Sequence, residues 1–287
     1  MKTAIITDST AYIPESIQKS QDIRIISLNV IFKDEIYLEE NYDAQLFYER
    51  MRSEKELPTT SQPTTGSYVE LLESLKAEGF TDCIAIHLSS GISGTYQNAI
   101  TAGNMVDGIK MHAFDSELAC MAMGFYVMRA AELKDSHSPE TIIEELNAMK
   151  QETYAYFLVD DLKNLQKGGR LSGAQALIGS MLQVKPILHF SDTKIVPFDK
   201  VRTKKKAIKQ LKDLFATSAK NFTNITVVVI HSNAEDEADA LIADLKSKNP
   251  DVDFIKSYFG PVIGTHLGEK AIGLGFTNRK FKIFNHL

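Results

Sequence analysis

The chain has 287 residues, enough for two domains or one large α/β unit with a sizeable core. Its 44% hydrophobic and 24% charged residues are those of an ordinary globular protein, and a formal net charge of −5 argues against a general nucleic-acid binder, which carries a basic excess to neutralise phosphates. No apolar run reaches the roughly 20 residues of a membrane span and no secretory apolar region opens the chain, so the expectation is a cytoplasmic protein.

The first apolar run, Ala4-Ile5-Ile6, reads as a buried strand, followed by Asp8-Ser9-Thr10 and a helix start near Pro14. Asp8-Ser9-Thr10 is either an Asx turn or a polar rim at the carboxyl end of a parallel strand, where open α/β sheets place their ligands. Residues 23–32 read as a second strand with a turn at Lys33-Asp34-Glu35, and residues 43–54 as a helix with a solvated charged face. Prolines fence the stretch 58–65, so no helix runs through it. Its threonines and Ser61 make it either a linker or a ligand-facing loop before the amphipathic helix 67–78.

The strand Cys83-Ile84-Ala85-Ile86 then runs into Ser89-Ser90-Gly91-Ile92-Ser93-Gly94-Thr95 and a helix over 95–105. There the glycines let the backbone turn, four hydroxyls cluster, and the first helical turn leaves N–H groups unpaired. Such a corner suits an anion, and it also occurs as a plain connection between strand and helix. A strand at 110–114, an apolar helix at 118–133 whose methionines read as core filling, and a charged helix at 139–153 follow. This alternation predicts a parallel sheet with helices on both faces. Cys83 and Cys120 fall in apolar segments and read as reduced core thiols rather than a disulfide or a metal site.

The pattern changes near residue 150. A strand at 154–159 and a short helix at 160–166 precede the basic glycine turn Lys167-Gly168-Gly169-Arg170, then an apolar helix at 174–182. A hairpin of 186–190 with 194–198, a helix at 204–219, a strand at 225–231, a helix at 235–248 and a strand at 254–259 lead to a second glycine-rich loop, 260–268. This half reads as mixed α+β.

Several catalytic motifs fail. Gly91-Ile92-Ser93-Gly94-Thr95 has threonine where a nucleophile elbow needs its last glycine, and the glycines of 168–173 are followed by Ala174 and Gln175 instead of a phosphate-loop lysine. The histidines and carboxylates show no metal-ligand spacing, and no dinucleotide fingerprint is present. What remains is a set of hydroxyl and glycine loops with His266, Arg170 and Arg202, an inventory suited to holding an anion through charge-assisted hydrogen bonds rather than to breaking a bond. Taken singly, His266 is also compatible with a structural role and Arg170 with capping a helix end. Arg202 lies in the basic patch Lys200-Val201-Arg202-Thr203-Lys204-Lys205-Lys206, either a solvated helix start or a docking point for an acidic partner or an anionic membrane surface.

Together, Asp8-Ser9-Thr10, Thr60-Ser61-Gln62-Pro63, Ser89 to Tyr96, Leu165 to Ser172, Lys185-Pro186-Ile187 and Gly260-Pro261 with Gly264-Thr265-His266 and Gly268 resemble the DegV family, in order and over nearly the whole chain. Val262-Ile263 stand where many relatives carry glycine, and Gln166 where they often carry lysine. The resemblance implies an α/β fold of two domains: a Rossmann-like, parallel-sheet domain over 1–150 and a mixed α+β domain over 151–287, with a lipid tunnel between them. It implies a long-chain fatty acid as the ligand, no cofactor and no metal. It also implies a non-catalytic role as the acyl-binding subunit of a bacterial fatty acid kinase, presenting the acid to a separate ATP-dependent subunit that makes acyl phosphate for phospholipid synthesis. By position, Thr60, Ser61, Ser93, the Gly94 N–H and His266 would hold the carboxylate, and Arg170 and Arg202 would face the kinase or the phosphoryl group. Two alternatives stand beside this: a serine hydrolase with Ser93 as nucleophile and His266 as base, and a lipid-binding regulatory protein without a kinase partner.

Overall fold

The computed structural model describes residues 2–172 and 185–282. The first half contains strands β1 (Thr3–Asp8), β2 (Ile23–Ile26), β3 (Asn29–Phe32), β4 (Glu35–Leu38), β5 (Thr59–Ser61), β6 (Asp82–His87) and β7 (Lys110–Asp115). Its helices are α1 (Glu15–Ser20), α2 (Ala44–Ser53), α3 (Thr65–Ala77), α4 (Thr95–Gly103), α5 (Cys120–Leu133) and α6 (Pro139–Lys150). The second half adds β8 (Thr153–Leu158), α7 (Lys163–Lys167), β9 (Lys185–Ser191), β10 (Lys194–Val201), α8 (Lys204–Ser218), β11 (Thr226–His231), α9 (Glu235–Lys248), β12 (Asp253–Tyr258), α10 (Pro261–Leu267) and β13 (Ile272–Thr277). The helix expected at 174–182 lies outside the described residues.

The N-terminal sheet is parallel throughout, in the order β2-β1-β6-β7. Its central strands β1 and β6 are buried along their whole length, which is why they read as continuous apolar runs rather than alternating ones. The second sheet has six strands in the order β10-β9-β8-β13-β11-β12 and is mixed, with β11 and β12 parallel and the other pairs antiparallel. Helix α5 lies between the two, packing on β1 and β6 on one side and on β8, β11 and β13 on the other. That double cover explains its apolar character on nearly every face.

Four local expectations are corrected. Residues 23–32 form two strands in two sheets, because the chain turns at Leu28, whose N–H is bound by Ser9 Oγ at 3.1 Å and whose carbonyl accepts from Glu39 N. The hydroxyl-rich stretch 58–65 is no free loop: Thr59–Ser61 pairs antiparallel with β3 as the edge of a small three-stranded sheet, β4-β3-β5. The loop expected at 260–268 is mostly helix α10, started by Pro261 at a position where its missing N–H costs nothing and ended by Gly268 in left-handed backbone. Finally, β13 appears where no strand was expected, at the centre of the six-stranded sheet.

Candidate functional site

A cavity of about 290 Å³ lies between α5 and the six-stranded sheet, near the lower end of the roughly 300–1,000 Å³ that small-molecule sites occupy. Small residues open it: Ala119 just before α5, Ala122 on α5, Ala155 of β8, and Gly273 and Gly275 of β13. A Cβ on Gly275 would lie 2.9 Å from Val228 Cγ1 and 3.1 Å from Ala122 Cβ, so a side chain there would wedge helix from sheet. Phe157, Phe190, Ile230 and Phe259 add apolar wall.

Polar groups gather at the end nearest α10. Thr60 and Ser61 come from β5 with Gln62 beside them, Ser93 and Gly94 from the loop before α4, Arg170 from the turn after α7, and His266 from the last turn of α10. Thr60 Oγ1 and His266 Nε2 are hydrogen-bonded at 2.8 Å. Asn29 Nδ2 donates to Ser61 Oγ at 3.0 Å, and Ser93 Oγ pairs with Thr95 Oγ1 at 2.9 Å. Burial, with a smaller push from the Arg170 charge, lowers the His266 pKa to about 4, so the imidazole is neutral near pH 7. Its Nδ1 is buried without a hydrogen-bond partner among the described residues. Gly168 permits this close fit, since a Cβ there would lie 2.3 Å from Nδ1. Arg170 donates from Nε to the Ile92 carbonyl at 3.2 Å and from Nη1 to the Gly168 carbonyl, holding its guanidinium at the cavity against carbonyl oxygens.

Thus Thr60, Ser61, Ser93, Gly94, Arg170 and His266 line one cavity, whereas Arg202 does not: it is exposed in the turn between β10 and α8. Ser89 is spent on structure, donating to the Thr193 carbonyl at 2.6 Å. Asp8 is likewise consumed, fully buried and accepting from Thr10 N and Oγ1 and from Leu88 N, with His87 Nδ1 at 3.0 Å. Gln62, part of the Thr60-Ser61-Gln62-Pro63 block but given no site role from sequence, also lines the cavity, and the buried Glu39, which binds the N-terminal turn of α10, carries no sequence signal as a support residue. A hydrolase would need Ser93 bonded to its base, yet Ser93 pairs with Thr95 and His266 with Thr60. Among the described residues no group of three potential ligands is placed to hold a metal, and no helix is long and apolar enough to cross a membrane. An apolar space ending in hydroxyls, a neutral imidazole and a guanidinium has the chemistry to take an amphiphile with an anionic head.

The DegV family model matches residues 2–279. The chain belongs to the DegV family. Protein DegV of Bacillus subtilis is 52% identical over 277 residues, covering 96% of this chain and 98% of that one. The crystal structure of DegV, a fatty acid binding protein from Bacillus subtilis, superposes with a TM-score of 0.92 at 50% identity, covering 98% of this chain and 100% of that one. A fatty acid binding DegV family protein from Streptococcus agalactiae gives 0.89 at 33% identity, covering 98% of this chain and 99% of that one. The two large sheets flanking α5 are therefore the DegV architecture, and the cavity lies between helix and sheet within it.

Proposed function

We propose that this DegV protein binds one long-chain fatty acid, its acyl chain in the cavity beside α5 and its carboxylate against Thr60, Ser61, Ser93, the Gly94 N–H and His266. The observation that carries the reading is the union, in one cavity, of an apolar wall with a hydroxyl, imidazole and guanidinium cluster at one end. Fatty acid binding by the Bacillus subtilis and Streptococcus agalactiae relatives supports it. Each buried methylene contributes roughly 0.8 kcal/mol, so a long chain is retained tightly even after ordering costs. In this reading residues 1–150 and 151–287 act as two cytoplasmic domains that close on the ligand. The protein itself is non-catalytic and presents the carboxylate to an ATP-dependent kinase subunit, whose acyl phosphate enters phospholipid synthesis. Arg170 at the cavity and Arg202 in the exposed basic turn are the kinase- or phosphoryl-facing groups, and the same turn is available to an anionic membrane surface.

Native mass spectrometry of the purified protein, followed by lipid extraction, tests the ligand: one fatty acid per chain supports the reading, and none after incubation with a fatty-acid mixture overturns it. Ser93→Ala and Thr60→Val each remove a hydroxyl from a charged acceptor, worth about 1.5–3 kcal/mol, so each weakens binding roughly ten- to a hundredfold. Unchanged affinity in both would remove the carboxylate from this end of the cavity. Arg202→Ala is expected to lower acyl phosphate formation with the kinase present while leaving fatty-acid affinity unchanged; loss of affinity instead would place Arg202 in ligand binding.

A further inference from the structure

Behind the acyl cavity lies a second, smaller one of about 120 Å³, and the two are in line. On α5, Ala122 lines the first and Tyr126, one turn further on, lines the second. On β8, Ala155 lines the first and Thr153, two residues back on the same face, lines the second. Both steps lead away from His266, because α10 joins β13 at its Ile272 end, which pairs with Leu158, whereas Thr153 pairs with Thr277. One aromatic side chain, Phe190 of β9, belongs to both linings. Its ring packs beside Phe157 with centroids 6.3 Å apart, and its residue pairs with Ile195 across the hairpin.

We propose that Phe190 is the end wall of the acyl cavity and sets the longest chain the protein accepts, an inference that rests on the fatty-acid reading above. Ahead of the ring, each added methylene is buried against apolar side chains and gains affinity. Beyond it the surroundings change: the second cavity holds Lys150 and Glu117, ion-paired at 2.7 Å, together with Thr153, Ser116 and Asp192. A methyl terminus pushed past Phe190 must displace the ring and then desolvate these groups without hydrogen-bonding them, which costs free energy instead of yielding it. The wall therefore discriminates by length through both sterics and polarity.

The test compares parent, Phe190→Ala and Phe190→Leu across a series of straight saturated fatty acids from medium to very long chain, by competition binding, with thermal melts of each variant. Removing the ring leaves apolar space ahead of the polar groups, enough for about two methylenes, so the affinity for an acid two methylenes longer than the parent's optimum, relative to that optimum, rises about tenfold in Phe190→Ala and less in Phe190→Leu. Phe190→Trp shifts the optimum to shorter chains. An unshifted length profile in cooperatively melting Leu and Trp variants overturns the wall while leaving the fatty-acid reading intact, whereas a parent protein that binds no member of the series overturns both.

Discussion

Gly91→Ala is expected to lower folding stability by about 3 kcal/mol, at the upper end of what overpacking costs, and to loosen the polar end of the cavity with it. A Cβ at this position would lie 2.3 Å from the Thr193 carbonyl oxygen and 2.6 Å from its carbon and its Oγ1. The obstacle is backbone, and it has little freedom to retreat. Asp192 and Thr193 form the tip of the β9–β10 hairpin with φ of 46° and 67°, a left-handed pair that a β-branched residue adopts only when its surroundings hold it there. Ser89 Oγ grips the same carbonyl at 2.6 Å. Relief requires the loop 88–94 to part from the hairpin, and that loop delivers Ile92, Ser93 and Gly94 to the cavity. For a chain of this size the melting temperature falls by roughly 5–10 °C, and ligand affinity falls as Ser93 shifts. Ser89→Ala removes the hydrogen bond without the clash and costs about 1 kcal/mol. If Gly91→Ala melts like the parent, the hairpin tip does not sit on this loop in solution.

How much of this arrangement can be read from the chain depends on where each contact originates. The parallel half is legible because its signals are local: continuous apolar runs such as Cys83-Ile84-Ala85-Ile86 and a helix start at Pro139, whose first turn is capped by the Ser138 side chain. The small sheet is not, because Thr59–Ser61 is polar, short and bounded by prolines, and becomes a strand only through pairing with β3. Strand β13, Ile-Gly-Leu-Gly-Phe-Thr, is hidden by its glycines, which argue against a strand locally yet provide the space beside α5. At the candidate site the residue types were legible, since hydroxyls and glycines cluster in sequence. The pairing of Thr60 with His266, 206 residues apart, was not. Nothing local in Leu38-Glu39-Glu40-Asn41 marks Glu39 for burial; it is buried because Ser9, Tyr12 and Val262 converge on it from distant segments.

That glutamate and His266 mark the two ends of α10, and their proton uptake is expected to oppose. Glu39 accepts from Ser9 Oγ at 2.5 Å, from Tyr12 OH at 2.8 Å and from Val262 N at 2.8 Å. Burial outweighs these donors, and with some help from the Asp8 charge it raises the carboxyl pKa to about 7 from an ordinary 4.5. Between those values the folded chain holds a proton that the unfolded chain has released. The stability this proton contributes is complete below pH 4.5 and is lost as pH rises through 7, about 3 kcal/mol in all. His266 runs the other way. With a pKa near 4 against 6.5 unfolded, it contributes stability that is present above pH 6.5 and lost, by a similar amount, as pH falls through 4. Over pH 4.5–6.5 the two slopes nearly cancel in the parent. Glu39→Gln keeps an acceptor for Val262 N–H while abolishing the titration, leaving the His266 slope uncompensated. Relative to the parent, this variant should lose about 3 kcal/mol between pH 6.5 and pH 4.5, and His266→Asn should gain a similar amount on the same descent. Urea midpoints measured in steps of pH decide it, since the difference between variant and parent cancels every other titrating group. A Glu39→Gln curve parallel to the parent's would mean that the three donors hold Glu39 ionised in the fold, and that burial does not govern its proton.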